Sequence, residues 1–422
     1  MEKIKTDQQI YMIAPTLRKL DKGRQISMNC FDFKSEDNAQ VPKYTLHVVD
    51  SNEDKLIKSR KCVCIITPQG REKESIFGTE MGRQKLCSQA QTARLIVVFL
   101  GHGHKFESMQ EIQDELNSKI LELSPENCSN YSSIPIMTAG EDIGKKSLID
   151  VKGQDGIQGF LVQDIKTGES PVLRQVIFEA KYDQIQSEMQ LVYRDPKKHE
   201  IPQYMLANSA LCPKKKGKQA VVNHDVLTNE YQQAQLCGLF MVPSLAQCTE
   251  LNVLHLGTGA GTVPSFLVSQ LGPALKKVTT IDNNADMVKL ATKYFGFNPE
   301  SDKIESKIMD AFDYVTKEPA GQYDAIIIDI NFQKDDLSIS PPWPFFSQEF
   351  FDGLLKHAHP ERFYIAMNVL YYDEETKQKV FARMSEGLSG KVDNLAYLEV
   401  EEGANKVFVF TKDPAKVDLM DY

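Results

Sequence analysis

The second half of this 422-residue chain reads as a doubly wound α/β sheet, and three observations predict it. Short β-branched runs alternate with amphipathic helix patterns from 251 onward. A glycine turn follows the first of those runs and opens a helix. Acidic residues recur at the carboxyl ends of successive runs. Alternation of this kind implies a mostly parallel sheet with helices on both faces.

The elements follow in order. Residues 251–256 are a short apolar run and a buried strand candidate. After the glycine turn, Val263, Phe266, Leu267 and Leu271 share one helix face, closed by Gly272-Pro273. A second strand is expected at 277–281. Asn284 can cap a helix carrying Met287, Leu290, Ala291 and Tyr294, with Gly296 at its end. Further strands are expected at 303–308, 323–328 and 362–368. Two last strands, 395–400 and 406–411, are joined by a turn around Gly403. Five β-α units thus precede an antiparallel hairpin.

The first half reads as a mixed α/β accessory region, β-rich in its later part. Strands are expected at 44–49, 61–66 and 93–100, with a helix at 80–89 between the last two. Ser108-Met109-Gln110-Glu111 is a capping-box pattern. It opens a helix with Met109, Ile112, Leu116, Ile120 and Leu123 on one face. More strands are expected at 159–164, 174–178 and 187–192. The stretch 194–218 combines Pro, Gly and like charges and is read as a basic linker or long surface loop. The expected organisation is an accessory region at 1–193, the linker at 194–218, a second domain at 219–413 and a tail at 414–422.

Composition narrows the function classes. With 41% hydrophobic and 25% charged residues the chain is an ordinary globular one, and the length suits two domains. Lys+Arg is 49 against Asp+Glu 58, a net charge of −9, which argues against a surface that neutralises phosphates throughout. No nucleic-acid partner is expected, and no run approaches the ~20 apolar residues of a membrane helix. The start of the sequence shows no signal-peptide pattern, so the eight cysteines are expected reduced and the protein cytoplasmic. Cys62-Val63-Cys64 is expected on a strand with its thiols facing opposite ways. His102-Gly103-His104 has no third ligand beside it, and no metal site is expected.

The informative segment is Gly257-Thr258-Gly259-Ala260-Gly261. Glycine permits a tight turn and lets a ligand approach bare backbone. Its third glycine comes one residue too early for a dinucleotide fingerprint. The spacing suits a ligand without a pyrophosphate, such as S-adenosylmethionine. In open α/β sheets ligands bind outside the carboxyl ends of the strands. There Asp282 could reach ribose hydroxyls, Asp310 could accept from an adenine amine, and Asp329 lies where a transferable methyl would sit. Each acid alone could equally be a helix cap.

These residues, with Tyr323-Asp324-Ala325-Ile326-Ile327-Ile328-Asp329, resemble the Rossmann-like class I methyltransferases of the spermidine-synthase-like branch. Phrases outside the turn are more specific: Tyr44-Thr45-Leu46-His47-Val48-Val49-Asp50-Ser51, Pro68-Gln69-Gly70-Arg71-Glu72, Glu107-Ser108-Met109, Gly140-Glu141-Asp142-Ile143-Gly144, Tyr294-Phe295-Gly296-Phe297 and Pro341-Pro342. They resemble the eukaryotic family that methylates translation elongation factor 1-alpha on a lysine and on its N-terminal α-amine. The resemblance runs from about residue 40 to 413 and matches the family's middle region and C-terminal domain. It implies an S-adenosylmethionine-dependent methyltransferase acting on the α-amine of that factor, with Gly257, Thr258, Gly259, Gly261, Asp282, Asp310 and Ala311 at the cofactor. No first glycine turn precedes this region, so the lysine activity is not implied. The chain is expected to be a shorter homologue or a fragment of the longer architecture. Its first region is read as serving substrate docking or homodimerisation.

Three positions depart from the family pattern. Thr280 stands where the family has a ribose-binding Glu, Asn331 where it has a second Asp, and Ala311 where it has Gly. An α-amine has a pKa of about 7.7–8.0 against about 10.4 for a lysine, so a transferase for it can work mainly by positioning. Asp329 is the expected proton acceptor, with Asn331 orienting the amine through its amide oxygen. Walls for the acceptor channel are expected from Pro341-Pro342-Trp343-Pro344-Phe345-Phe346 and from Glu230 and Tyr231. Two rivals remain open. A polyamine synthase shares the fold, but Phe332 stands where such enzymes carry a second carboxylate. A non-catalytic binding or assembly module is the other.

Overall fold

The computed structural model describes residues 14–31, 41–72, 74–106, 108–139, 143–150, 159–178, 181–331, 339–371, 373–400 and 405–414. Phe332, the turn around Gly403 and the motif pieces at Glu107 and Gly140-Glu141-Asp142 lie outside them. The chain forms two units. One is Met1–Ile185 with Ser209–Pro213, and the other is Gln186–Asn208 with Lys214–Tyr422. The divisions fall at 185/186, inside a strand, and at 208/209 and 213/214, within the 194–218 stretch that the sequence reads as a linker or long surface loop.

In the first unit the β-branched runs become strands because their side chains fill a sheet on both faces. β1 (Gln25–Phe31), β2 (Pro42–Asp50), β3 (Cys62–Ile66), β4 (Arg94–Leu100) and β5 (Ile136–Thr138) order as β1-β2-β4-β3-β5. β3 lies parallel to β4 and β5, while β2 is antiparallel to β1 and β4. Helices α1 (Asp54–Ser59), α2 (Ser75–Gly78), α3 (Glu80–Gln89) and α4 (Met109–Leu123) accompany the sheet. The expected cap of α4 is present: Ser108 Oγ accepts from the Glu111 N–H at 3.2 Å. Ile112, Leu116, Ile120 and Leu123 bury the predicted stripe against Leu46, Cys62, Cys64 and Ile96. Cys62 and Cys64 both join this core. Residues two apart on a strand share a face, so the expectation that the thiols point opposite ways is corrected. A meander of β6 (Lys145–Asp150), β7 (Phe160–Lys166) and β8 (Val172–Phe178) completes the unit, with Arg174 Nε paired across strands to Asp164 Oδ1 at 2.8 Å.

One ion pair ties the first sheet to its helix. Arg94 Nε and Nη2 donate to Asp50 Oδ1 and Oδ2 at 2.7 and 3.0 Å, and both residues are buried. Arg94 Nη1 donates to the Leu123 carbonyl at 2.8 Å, which closes the C-terminal end of α4.

β9 (Lys181–Arg194) carries the chain into the second unit, where its later part pairs antiparallel with β10 (Gln219–Val222). The second sheet contains β11 (Leu251–Leu256), β12 (Leu275–Asp282), β13 (Ile304–Ile308), β14 (Ala325–Ile328), β15 (Ile339–Ser340), β16 (Phe363–Tyr371), β17 (Asn394–Glu399) and β18 (Asn405–Lys412). Its order is β13-β12-β11-β14-β16-β18-β17, with β15 on β16. The first five strands of that path are parallel, and β16-β18 and β18-β17 are antiparallel. This is the mostly parallel sheet with a terminal hairpin that the sequence predicts. Its helices are α5 (Glu230–Cys237), α6 (Pro243–Ala246), α7 (Thr262–Leu271), α8 (Ala285–Tyr294), α9 (Ala311–Lys317), α10 (Gln348–His357) and α11 (Glu374–Leu388). Two apolar layers cover the sheet. One gathers Phe350, Phe351, Leu354, Val380 and Met384, and the other gathers Leu236, Leu245, Val263 and Leu267.

Replacing Arg94 by Leu would leave the Asp50 carboxylate buried with one partner fewer. Arg24 Nη2 still reaches Asp50 Oδ2 at 2.8 Å. The expected loss is therefore at the low end of roughly 3–5 kcal/mol. Urea unfolding of the variant and the parent measures it. An unchanged midpoint would show that the pair does not hold the unit together.

Candidate functional site

The sheet order changes direction between β11 and β14, which is where open α/β sheets open a crevice. The ladder continues one residue past both strands. The Gly257 N–H donates to the Ile281 carbonyl, and the Asp329 N–H to the Leu256 carbonyl, each at 2.8 Å. Gly257 sits at φ +95°, and a Cβ there would lie 2.0 Å from the Asp329 carbonyl oxygen. Only glycine allows that approach. Gly261, at φ +74°, packs on Phe297, whose ring a Cβ would meet at 2.6 Å. Gly259 lies beside Ser187 of β9, and the Ser187 hydroxyl accepts from the Ala260 N–H at 3.2 Å.

Asp282 holds this turn in place. Its Oδ2 accepts from the Gly259 N–H at 3.0 Å and its Oδ1 from the Asn284 N–H at 2.8 Å. Burial raises its pKa, and the backbone donors oppose that shift. Thr280 is fully buried and its hydroxyl meets that of Thr258 at 2.7 Å. His255, next to Thr280 in the ladder, is held neutral because burial pushes its imidazole down to about 3. Asp310 is the N-cap of α9, its Oδ1 accepting from the Phe312 and Asp313 N–H groups at 2.8 and 3.2 Å. The helix-cap alternative thus describes Asp310. Ala311, the first residue of α9, packs into the core.

Asp329 and Asn368 come together because β14 and β16 are parallel. Their last paired residues are Ile328 and Met367, and the next residue on each strand is one of these two. Asn368 Nδ2 donates to Asp329 Oδ1 at 3.1 Å. The Tyr231 hydroxyl donates to Asp329 Oδ2 at 3.1 Å. Gln232 Nε2 donates to the Tyr231 hydroxyl at 3.3 Å and to Thr262 Oγ1, at the start of α7, at 3.1 Å. Burial raises the pKa of Asp329 and the hydrogen bonds from Asn368, Tyr231 and Gln232 oppose it. Burial first, then the Asp329 charge, pushes the Tyr231 phenol well above its ordinary range, so it stays a donor. α5 is anchored by Tyr364 of β16, whose hydroxyl donates to the Gln235 carbonyl at 2.9 Å. Gln235 Nε2 in turn donates to the Ile328 carbonyl at 2.9 Å.

The other expected residues divide. Asn331 is exposed, and its Nδ2 donates to Gln186 Oε1 at 2.7 Å; it does not touch Asp329 through its amide nitrogen. Phe345 and Phe346 are buried in the core, so that part of the aromatic loop is packing and not a channel wall. Glu230 is exposed at the start of α5, whereas Tyr231 reaches the carboxylate. Gln186, Ser187, Gln232, Gln235 and Asn368 were not anticipated. Gln232 and Gln235 had no signal, since their short helix has no apolar stripe and only the fold shows that they are buried. Asn368 had one, as the lone amide in a run of apolar strand residues. Ser187 and Gln186 had none, since only the fold brings β9 to the turn.

Among the described residues no three His, Cys, Asp or Glu side chains are placed to hold a metal ion, and no helix is long and apolar enough to cross a membrane.

No family model matches the chain. The sequence is similar to the human "eEF1A lysine and N-terminal methyltransferase", 28% identical over 96% of this chain and 58% of that protein. The bovine protein of the same name is 29% identical over 87% of this chain and 53% of its own length. The chain therefore spans between half and three-fifths of these curated relatives. Among solved structures, human methyltransferase-like protein 13 in complex with SAH aligns at a TM-score of 0.41 and 25% identity, over 46% of this chain and 87% of that one. The resemblance read from the motifs is thus present over most of the chain.

Because folding raises its pKa, the Asp329 carboxyl is destabilising when charged. Its contribution to stability is full below the ordinary carboxylate range and is lost as pH rises through the raised value. Asp329→Asn removes the charge. The variant should be more stable than the parent near neutral pH, and the difference should shrink as the pH falls below the ordinary carboxylate range. Paired urea melts at acid and neutral pH read this. A variant less stable at neutral pH by as much as at acid pH would show that the hydrogen bonds, not the buried charge, dominate at Asp329.

Proposed function

We propose that the chain is an S-adenosylmethionine-dependent protein methyltransferase acting on the α-amino group at the mature N-terminus of translation elongation factor 1-alpha. The observation that carries this reading is a carboxylate with a raised pKa at the switch point of the sheet, beside a glycine turn. The names of the relatives support the protein substrate, and the compartment of that substrate supports a cytoplasmic location.

The residues present suit the cofactor. Gly257, Gly259 and Gly261 all adopt positive φ and leave the turn at the head of α7 as bare backbone. Asp282 holds that backbone, and an ionised carboxylate, with about four lone-pair sites, has capacity beyond its two turn bonds for a ribose hydroxyl. Thr258 and Ala311 flank the same strand ends, and Asp310 is exposed with its Oδ1 engaged in the helix cap. Thr280 cannot take the ribose role, since it is buried and turned onto Thr258. Bound there, S-adenosylmethionine supplies a methyl group on a sulfonium.

The chain's own work is on the amine. Asp329, oriented from two sides by Tyr231 and Asn368, accepts the N–H of an approaching ammonium and takes its proton. A carboxylate whose pKa is raised is a better base for that transfer than an ordinary one. Asn331, held on Gln186, lies one residue beyond Ile330 at the same strand end, where its amide oxygen can orient the acceptor.

Purified protein with labelled cofactor should methylate a peptide matching the factor's mature N-terminus, and acetylating the peptide's α-amine should abolish labelling. Equal labelling of the acetylated peptide would refute the α-amine assignment. Calorimetric titration with cofactor should show binding, and its absence at millimolar concentration in folded protein would leave a non-catalytic module. Asp329→Asn should lower kcat by at least about a hundredfold, the scale of a lost general base, with a smaller change in cofactor Kd.

A further inference from the structure

Several buried polar atoms without partners belong to side chains bonded to Asp329 or to its immediate neighbours. Among the described residues, eleven buried side-chain nitrogens and oxygens lack a hydrogen-bond partner. Four of them are Gln232 Oε1, Gln235 Oε1, Asn368 Oδ1 and Gln186 Nε2. Native structures leave few such groups, and each costs desolvation that nothing returns.

Two of these oxygens are fixed by what their nitrogens touch. Gln235 Nε2 donates to the Ile328 carbonyl, and Asn368 Nδ2 donates to the Asp329 carboxylate. Both partners only accept, so turning either amide over would set oxygen against oxygen. Gln232 Nε2 meets two hydroxyls, so its orientation is less constrained. In a carboxamide the oxygen is bonded to the same carbon as the nitrogen. The Asn368 oxygen therefore lies within two bonds of an atom touching Asp329. The Gln235 oxygen lies as near to an atom touching the residue before it. Amide oxygens that lack donors thus belong to a side chain bonded to the carboxylate (Asn368), to one bonded to the Tyr231 that holds it (Gln232) and to one bonded to the strand residue before it (Gln235). The matching ligand is rich in N–H groups, carries positive charge and has no acceptor at the same atom. A primary ammonium, with three donors and no acceptor, fits this description.

We propose that Gln235, Asn368 and Gln232 form with Asp329 a cradle for a primary ammonium group, their unpartnered amide oxygens taking the N–H groups that Asp329 does not. Gln235 is then a binding residue for the acceptor amine and not a packing residue of α5. The proposal rests on the reading of this site as an amine acceptor site, but not on which protein supplies the amine.

The test uses the full chain, with glycinamide as the probe and glycolamide, which carries a hydroxyl in place of the amine, as its control. Side-chain amide signals of Gln232, Gln235 and Asn368 are followed by ¹⁵N NMR and assigned from single variants. Glycinamide should shift all three to saturation, and glycolamide at the same concentration should not. Gln235→Met should weaken glycinamide binding about tenfold, the scale of one hydrogen bond to a charged group, while the thermal midpoint stays or rises. Cofactor affinity should be unchanged in the same Gln235→Met variant. Equal shifts with both probes, or unchanged affinity in Gln235→Met, overturns the proposal. So does an equal loss of cofactor and glycinamide affinity in Gln235→Met, which marks a structural role. Glycinamide binding without methylation of the elongation-factor peptide would sink the proposed substrate and leave the cradle standing.

Discussion

The close approach of Gly257 to the Asp329 carbonyl is the constraint on which the rest of the second unit depends. The missing Cβ lets the chain leave β11 and β14 at adjacent points while their N–H groups still continue the ladder onto Leu256 and Ile281. Any side chain at 257 would force these strand ends apart, since the nearest atom is backbone. With them would go the turn that Asp282 clamps and the position of the Asp329 side chain. Turn and carboxylate are thus one rigid object, set by sheet geometry and not by loop flexibility.

The two sides of that object are built on opposite principles. On the turn side the hydrogen bonds close on one another: Asp282 on Gly259 and Asn284, Thr258 on Thr280, Ser187 on Ala260. On the helix side, α5 presents Tyr231, Gln232 and Gln235, and their polar atoms are only partly matched. A protein selected for stability alone would place apolar residues at the two buried glutamines. Keeping them costs folding free energy, and such costs collect where a ligand completes the network.

Much of this was legible in the sequence because periodicity reports burial. The helix stripe after Ser108, the cap at Asn284 and the alternation from 251 onward all depend on local spacing, and the structure bears them out. What stayed hidden depends on tertiary placement. The 194–218 stretch, read as a linker or long surface loop, holds a single short helical turn at Gln203–Met205, and what local spacing did not show is that Leu206 bridges Val221. Phe345 and Phe346 looked like a channel wall from composition, and packing puts them in the core. For Asp310 two roles shared one sequence pattern, and the fold shows the cap, made through Oδ1 alone. Asn368 shows the boundary between the two cases. Its oddity was visible in the strand, but its purpose needed the parallel register of β14 and β16.

Thr280 draws these threads together. The resemblance implies a carboxylate at this position to hold a ribose, and a threonine side chain is too short and too well bonded to replace it. The acid that remains at the end of β12 is Asp282, and it is the same group that holds the glycine turn. In a protein with an acid at both positions, binding the sugar and holding the turn are separate tasks. On the proposed reading both fall on one carboxylate, whose pKa burial has already raised. A hydroxyl donated by a ligand would favour its charged form and tighten the turn at the same moment. Occupancy of the cofactor side and order of the turn are therefore coupled through Asp282. Because the Gly257 contact makes turn and Asp329 a single body, that coupling extends to the carboxylate proposed to receive the amine.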